Sequence, residues 1–339
     1  MIKRIIPFTR VVLVLSMFSL VIYGKKVSTL PELGKPRHLT VDDTQLYVTE
    51  SATIFIYSLK DFKLVKKFGK EGQGPQEFQT LPHVPLTVDV STDRLIAYSV
   101  RKISYFTKQG NYIKEVRAVN LALNLRLCGE RFLGWSQAKT EGVTYNTINL
   151  FDSKLNKLRE VFRIKDSYQG PGRGYEVLHK VFTYRIYDNK ILLPGNDDAI
   201  IDIFDSEMNK LLSIRLDQER IEVDQEFKNR LVKHFKTSSE IKNIYPMLKP
   251  LIFPDYFPVI SDFFVDDGTI YVMTWKRENG SNEFFTYDMK GKFEKRLMIP
   301  IRYETDLSSY PTMVKKGKLY QLVENDEKEE WELHVSEIK

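Results

Sequence analysis

His83 and His179 lie 96 residues apart, and the same offset carries Pro75 onto Pro171, Asp93 onto Asn189 and Leu95 onto Ile191. Imidazoles offered from equivalent points of separate units could assemble a zinc centre, which takes three or four nitrogen or sulfur ligands in a tetrahedral array. His38 is the natural third member, but it falls four residues out of register, and a later unit has Pro258 at the matching place. No metal is therefore expected, with His83 and His179 kept as the candidates should zinc be present. Arg37, His38, His83, His179 and Lys180 all stand near the starts of expected inner strands. With Tyr184 they could line a channel mouth suited to an anionic or glycan ligand, and a plain polar rim would read the same way.

Other chemistries find less material. Calcium needs six to eight oxygen ligands, and the acidic residues of the inner strands stand mainly at their far ends, beside turns, where turn formation accounts for them. There is no G-x-S-x-G elbow, no H-E-x-x-H and no cysteine pair, because Cys128 is the only cysteine and sits among apolar neighbours as a buried thiol. The "NGS" at 279–281 matches a glycosylation acceptor, but Asn-Gly is also a hairpin turn.

The elements that would position these residues come from a repeat. A turn, one polar residue and an apolar pair recur as "DDTQLYV" (42–48), "STDRLIA" (91–97), "CGERFLG" (128–134), "YDNKILL" (187–193), "DDGTIYV" (266–272) and "KKGKLYQ" (315–321). Each is followed by an alternating strand, "IFIYS" at 54–58 or "INLFD" at 148–152 for example, ending in "LHVSE" at 333–337. Alternation with period two marks half-buried strands. The pattern predicts an all-β fold, a six-bladed β-propeller of four-stranded antiparallel blades. The last unit ends at its third strand, so "KKVSTL" at 25–30 is expected to supply the fourth and close the ring.

"GQGPQEF" at 72–78 and "YQGPGRGYE" at 168–176 then become connectors between units. A phosphate loop requires a helix N-terminus after the glycines, and here a strand lies on both sides. With the preceding Gly69, the first loop reads G-x-x-G-x-G-P-x-E-F, and it resembles the signature loop of the bacterial exported six-bladed β-propeller family related to NHL-repeat propellers. The resemblance extends over nearly all of the chain after residue 24, including the "FPD…P" stretch at 253–258. It implies fold and export, and it carries no catalytic residue onto this sequence.

Within 217–251 the alternation fails, and Phe227, Leu231 and Phe235 fall on one helical face. A helical insertion, 217–258, is expected between units 4 and 5. It would cover a hydrophobic patch or dock a partner through Phe253, Tyr256 and Phe257. At the N-terminus, "MIKRIIPFTR" precedes the apolar run "VVLVLSMFSLVIY" and Gly24. That is the pattern of a cleaved signal peptide, 1–24, too short for a bilayer span, with no cysteine for lipidation and no anchor left after cleavage.

Half of the net charge of +6 sits on Lys3, Arg4 and Arg10 of that leader. The remaining lysines interleave with acids, which argues against nucleic acid as a partner. The sequence reads as a secreted or periplasmic, non-enzymatic binding module of the cell envelope, with a protein, glycan or anionic ligand. The alternative is a zinc- or calcium-dependent hydrolase or lyase working at the central channel.

Overall fold

The computed structural model describes residues 24–81, 84–117 and 123–338. Among them are six four-stranded antiparallel sheets and two short parallel ladders. Sheet 1 runs His38–Val41, Gln45–Glu50, Thr53–Ser58, Leu64–Phe68, and sheet 2 runs Thr87–Val90, Arg94–Ser99, Lys102–Thr107, Tyr112–Arg117. Sheet 3 is built from Leu123–Cys128, Arg131–Thr140, Val143–Phe151 and Lys157–Lys165, and sheet 4 from Arg185–Tyr187, Lys190–Pro194, Ile200–Phe204 and Lys210–Arg215. Sheet 5 holds Asp262–Asp266, Thr269–Glu278, Ser281–Asp288 and Phe293–Pro300. In sheet 6, Thr312–Lys315, Lys318–Asn325 and Glu330–Glu337 are joined by Lys25–Thr29, which pairs antiparallel with Glu330–Glu337.

Strand alternation explains how these sheets stack. Successive side chains point to opposite faces, so in sheet 1 Leu46, Val48, Phe55 and Tyr57 pack against Leu322, Leu333 and Trp331 of sheet 6. Tyr47, Ile54 and Ile56 turn the other way, onto Val88, Leu95, Ala97 and Phe106 of sheet 2. Equivalent clusters join sheets 2 and 3, 3 and 4, 4 and 5, and 5 and 6. Both faces of the middle strands are buried, so the expectation from alternation that they are half-buried is corrected: sheets pack on both sides of them. The arrangement is that of a β-propeller, with the first strand of each sheet innermost.

The closing strand is held by polar contacts as well as backbone pairing. Lys26 Nζ lies 2.7 Å from Glu332 Oε1, and His334 Nδ1 lies 3.1 Å from the carbonyl of Gly24, just ahead of the strand. The outermost strands of the first five sheets share one irregularity. A β-bulge falls at the same place in each, at Val65, Ile113, Leu158, Leu211 and Glu294. Bulges twist an edge away from a second chain, and the four apolar residues among them are left half-exposed.

The two Gly-Pro loops, expected to be equivalent, differ in their partners. Lys70–Glu71 pairs in parallel with Glu77–Phe78 inside the first loop, whereas Tyr175–Glu176 of the second pairs with Leu251–Ile252. Gly69 has a φ of +95°, and a Cβ there would stand 2.6 Å from the carbonyl oxygen of Ala52. Buried Lys102 donates to the carbonyls of Gly74 and Glu77, at 2.9 and 2.5 Å, so this loop is tied to sheet 2 by its oxygens.

Between sheets 4 and 5 the chain forms α1 (Gln225–Thr237) and the single turn α2 (Tyr245–Leu248). Asp224 caps α1 by accepting the Phe227 N–H at 2.7 Å. Phe227, Leu231 and Phe235 are its buried face, packed on Val177, Leu178 and Trp275. Among the described residues no helix is long and apolar enough to cross a membrane.

Candidate functional site

A cavity of about 500 Å³ is lined by the innermost strand of every sheet. Register decides which side chains face it. In each sheet the partner of the first apolar residue of strand two lies five positions earlier in the chain: Val41 opposes Leu46, Val90 Leu95, Leu127 Phe132, Ile186 Ile191, Val265 Ile270 and Val314 Leu319. One residue before each partner comes Thr40, Asp89, Arg126, Arg185, Phe264 or Met313, all of them lining the cavity. Two residues further back, the same face carries His38 in sheet 1 and Asp262 in sheet 5.

The charged members form two unlike pairs. Arg185 Nη2 donates to Asp262 Oδ1 at 2.9 Å, while its Nη1 reaches Thr183 Oγ1 at 2.6 Å and the Tyr184 carbonyl at 3.1 Å. Arg126 is held more loosely: Nε stands 3.4 Å from Asp89 Oδ2, and Nη1 lies 3.3 Å from Thr87 Oγ1 and 3.4 Å from the Leu125 carbonyl. Both guanidinium groups rest on aromatic rings, Arg126 on Tyr98 and Arg185 on Phe263 and Phe264. Burial raises the carboxyl pKa of Asp89 and of Asp262, against the pull of Arg126 and Arg185 respectively. Arg126 and Asp89 keep 25% and 32% of their side-chain surface open, and that surface faces the cavity rather than the outside.

Across the ring, His38 lies 2.9 Å through Nε2 from the Val88 carbonyl. Burial, then the fields of Arg126 and Arg185, push its pKa down to about 3, with the Val88 bond opposing. A carbonyl oxygen only accepts, so Nε2 carries the proton of the neutral ring and donates it to Val88. Tyr184 is buried, donates its hydroxyl to the carbonyls of Leu133 at 3.1 Å and of Asn124, and has its pKa raised by burial.

The anticipated cluster is thus divided. Arg37, His38 and Tyr184 line the cavity, whereas His179 and Lys180 do not. His179 Nε2 bonds the Glu176 carbonyl, and Lys180 Nζ donates to the Gly195 carbonyl at 2.6 Å. His83 lies outside the described residues, so the proposed pairing of His83 with His179 falls outside them too. Among the described residues no three His, Cys, Asp or Glu side chains converge as a metal set. The expectation that acidic residues stand mainly beside turns has an exception in Asp89, which lines the cavity, and in Asp262, which pairs with the cavity-lining Arg185. Counting back six residues from each strand-two apolar residue would have found Asp89, Arg126 and Arg185 from sequence.

The docking aromatics are also divided. Phe257 lies 4.9 Å from the rings of both Phe227 and Trp275, and Phe253 joins the same cluster beneath α1. Tyr256 remains exposed, with Met247 and Ile252 of the same segment. Glu240, just beyond α1, lies 2.5 Å from Lys35 and 3.4 Å from Arg37, and Arg230 of α1 lies 3.4 Å from Asp306.

No family model matches the chain, and no curated protein matches it. Solved structures do. A protein of Bacteroides fragilis NCTC 9343, named as exported, aligns over 94% of both chains at 13% identity and a TM-score of 0.52. A member of the DUF4221 family from Bacteroides vulgatus aligns over 92% of this chain and 94% of its own, at 10% identity and a TM-score of 0.50. At such identities the likeness is one of fold: the chain shares an all-β propeller architecture with these proteins.

Proposed function

We propose that the chain is an exported six-bladed β-propeller, of the kind related to NHL repeats, that serves as a non-enzymatic binding module of the cell envelope. Six blades are supported by the cyclic packing of the sheets, sheet 6 returning onto sheet 1, with Lys25–Thr29 as the closing strand of residues 25–339. Export is supported by the leader-like pattern of residues 1–24, which lie outside the described residues apart from Gly24, and by the fold shared with a protein named as exported.

The observation that carries the reading is the state of the channel. Arg185 is matched by Asp262, Arg126 by Asp89 and Arg37 by Glu240, and His38 is uncharged on a carbonyl. General acid–base work needs a group that exchanges its proton near neutral pH; Asp89 and Asp262, raised by burial, are the channel carboxyls nearest to that condition, and each is held beside an arginine. A metal-dependent hydrolase or lyase, the competing reading, draws no support from His38 or His179, whose Nε2 atoms are already bonded to carbonyls.

The insertion would be the second half of the module. Its contacts reach Val177 and Leu178 ahead of sheet 4, Trp275 of sheet 5, Asp306 ahead of sheet 6, and Lys35 and Arg37 ahead of sheet 1. Sheets 1 and 4 would be opposite members of a six-membered ring, so a segment reaching the connectors ahead of both would cross the axis as a lid over one mouth. Its exposed residues would meet an envelope partner. A photo-cross-linking amino acid placed at Tyr256 in the exporting host tests this, with Leu158 on the outer strand of sheet 3 as control. A discrete adduct from Tyr256 alone is expected; equal adducts from both positions, or none, contradict the reading.

A further inference from the structure

The central channel holds a guanidinium whose hydrogen-bonding capacity is largely unused. Arg126 offers five N–H donors in a planar fork. Its contacts among the described residues are the side-on approach to Asp89 at 3.4 Å and two long contacts of Nη1, at 3.3 and 3.4 Å. Nη2 has no partner among the described residues. Arg185, in contrast, is pinned by bonds of 2.6 to 3.1 Å.

A guanidinium taken out of bulk water must recover its lost hydration through good hydrogen bonds. Register places Arg126 and Arg185 in the same layer of neighbouring innermost strands, both lining a cavity of about 500 Å³. The rings of Tyr98, Phe263 and Phe264 back the two guanidiniums, and Phe264 and Met313 continue the layer with apolar surface. Thr40 adds a hydroxyl at the channel wall. An oxyanion presented edge-on to Arg126 would make the short, charge-assisted bonds that Asp89 does not make, and the apolar part of the layer would take a small carbon body.

We infer that the channel is an oxyanion site in which Arg126 is the receptor, Arg185 being already paired with Asp262, and the ligand a small molecule bearing a carboxylate or phosphate. The inference rests on the reading of the chain as a binding module and assigns the ligand chemistry of its channel. The site differs from the cluster expected from sequence, of which Arg37, His38 and Tyr184 supply only the surroundings.

Calorimetric titration of the chain purified from the exporting host, with succinate and with inorganic phosphate in separate runs and with chelator present, tests it. Binding of either probe is expected, succinate alone marking a carboxylate ligand and phosphate alone a phosphate ligand. The double variant Arg126→Met/Asp89→Asn removes the pair together, so no carboxylate is stranded in the channel. It is expected to keep the fold by near-ultraviolet circular dichroism and to bind about tenfold more weakly or less. Arg126→Lys, which keeps the charge but loses the fork, is expected to fall between the two. Absence of binding by both probes overturns the site, as does binding unchanged in both variants. Binding that appears only without chelator also overturns it, and in that case the non-enzymatic reading fails as well; absence of binding with or without chelator leaves that reading standing.

Discussion

His38 shows how a single residue reports on the channel. Its ordinary pKa of 6.5 falls to about 3 in the fold, chiefly through burial. Below pH 6.5 the unfolded chain takes up a proton that the folded chain refuses, so this group's contribution to stability is intact above 6.5 and is lost as the pH falls toward 3. The slope from one such group is at most about 1.4 kcal/mol per pH unit. Denaturant titrations between pH 4 and 7 should show this slope, and His38→Gln should remove it while leaving the stability at pH 7.5 within about 1 kcal/mol. An unchanged slope in the variant would mean that His38 titrates normally. Arg126, Arg185, Asp89 and Asp262 belong to the same scale. Each is unremarkable in its local sequence, and only the register of separate hairpins brings Asp89, Arg126 and Arg185 to one cavity, with Asp262 beside Arg185.

Among the elements, α1 most clearly joins a sequence pattern to a job. Its spacing of Phe227, Leu231 and Phe235 predicted a helix with one apolar stripe, and those three residues are the buried ones. Leu231 is fully buried, so Leu231→Ala is expected to cost about 3 kcal/mol and to loosen the segment from Val177 and Leu178. Native-state hydrogen exchange should then show faster exchange in residues 225–257 with the sheets unaffected; uniform loss of protection would contradict a separately held lid. Much of the strand framework was legible because turn, polar residue and apolar pair recur, each followed by an alternating strand. The insertion's aromatics were harder. Phe253 and Phe257 look like a docking cluster in sequence, yet they fill the space beneath α1 because Trp275, brought from a strand of sheet 5, offers a flat ring to stack on. The differing partners of the two Gly-Pro loops were likewise hidden, since only the folded insertion delivers Leu251–Ile252 to Tyr175–Glu176.

Over the whole molecule, side-chain alternation sends the two faces of every middle strand into different inter-sheet cores, and the first and last segments share a sheet. Bulges at one repeated place blunt the outer edges of the first five sheets. A scaffold so arranged presents a channel and a helical segment between sheets 4 and 5, and the proposed function asks of them binding without chemistry. The most direct test is the metal content of the chain purified from the exporting host under zinc- and calcium-replete conditions, measured by inductively coupled plasma mass spectrometry. The account predicts far less than one metal ion per chain. Near-stoichiometric zinc that disappears in a His83→Ala/His179→Ala variant, or stoichiometric calcium indifferent to those histidines, would contradict it.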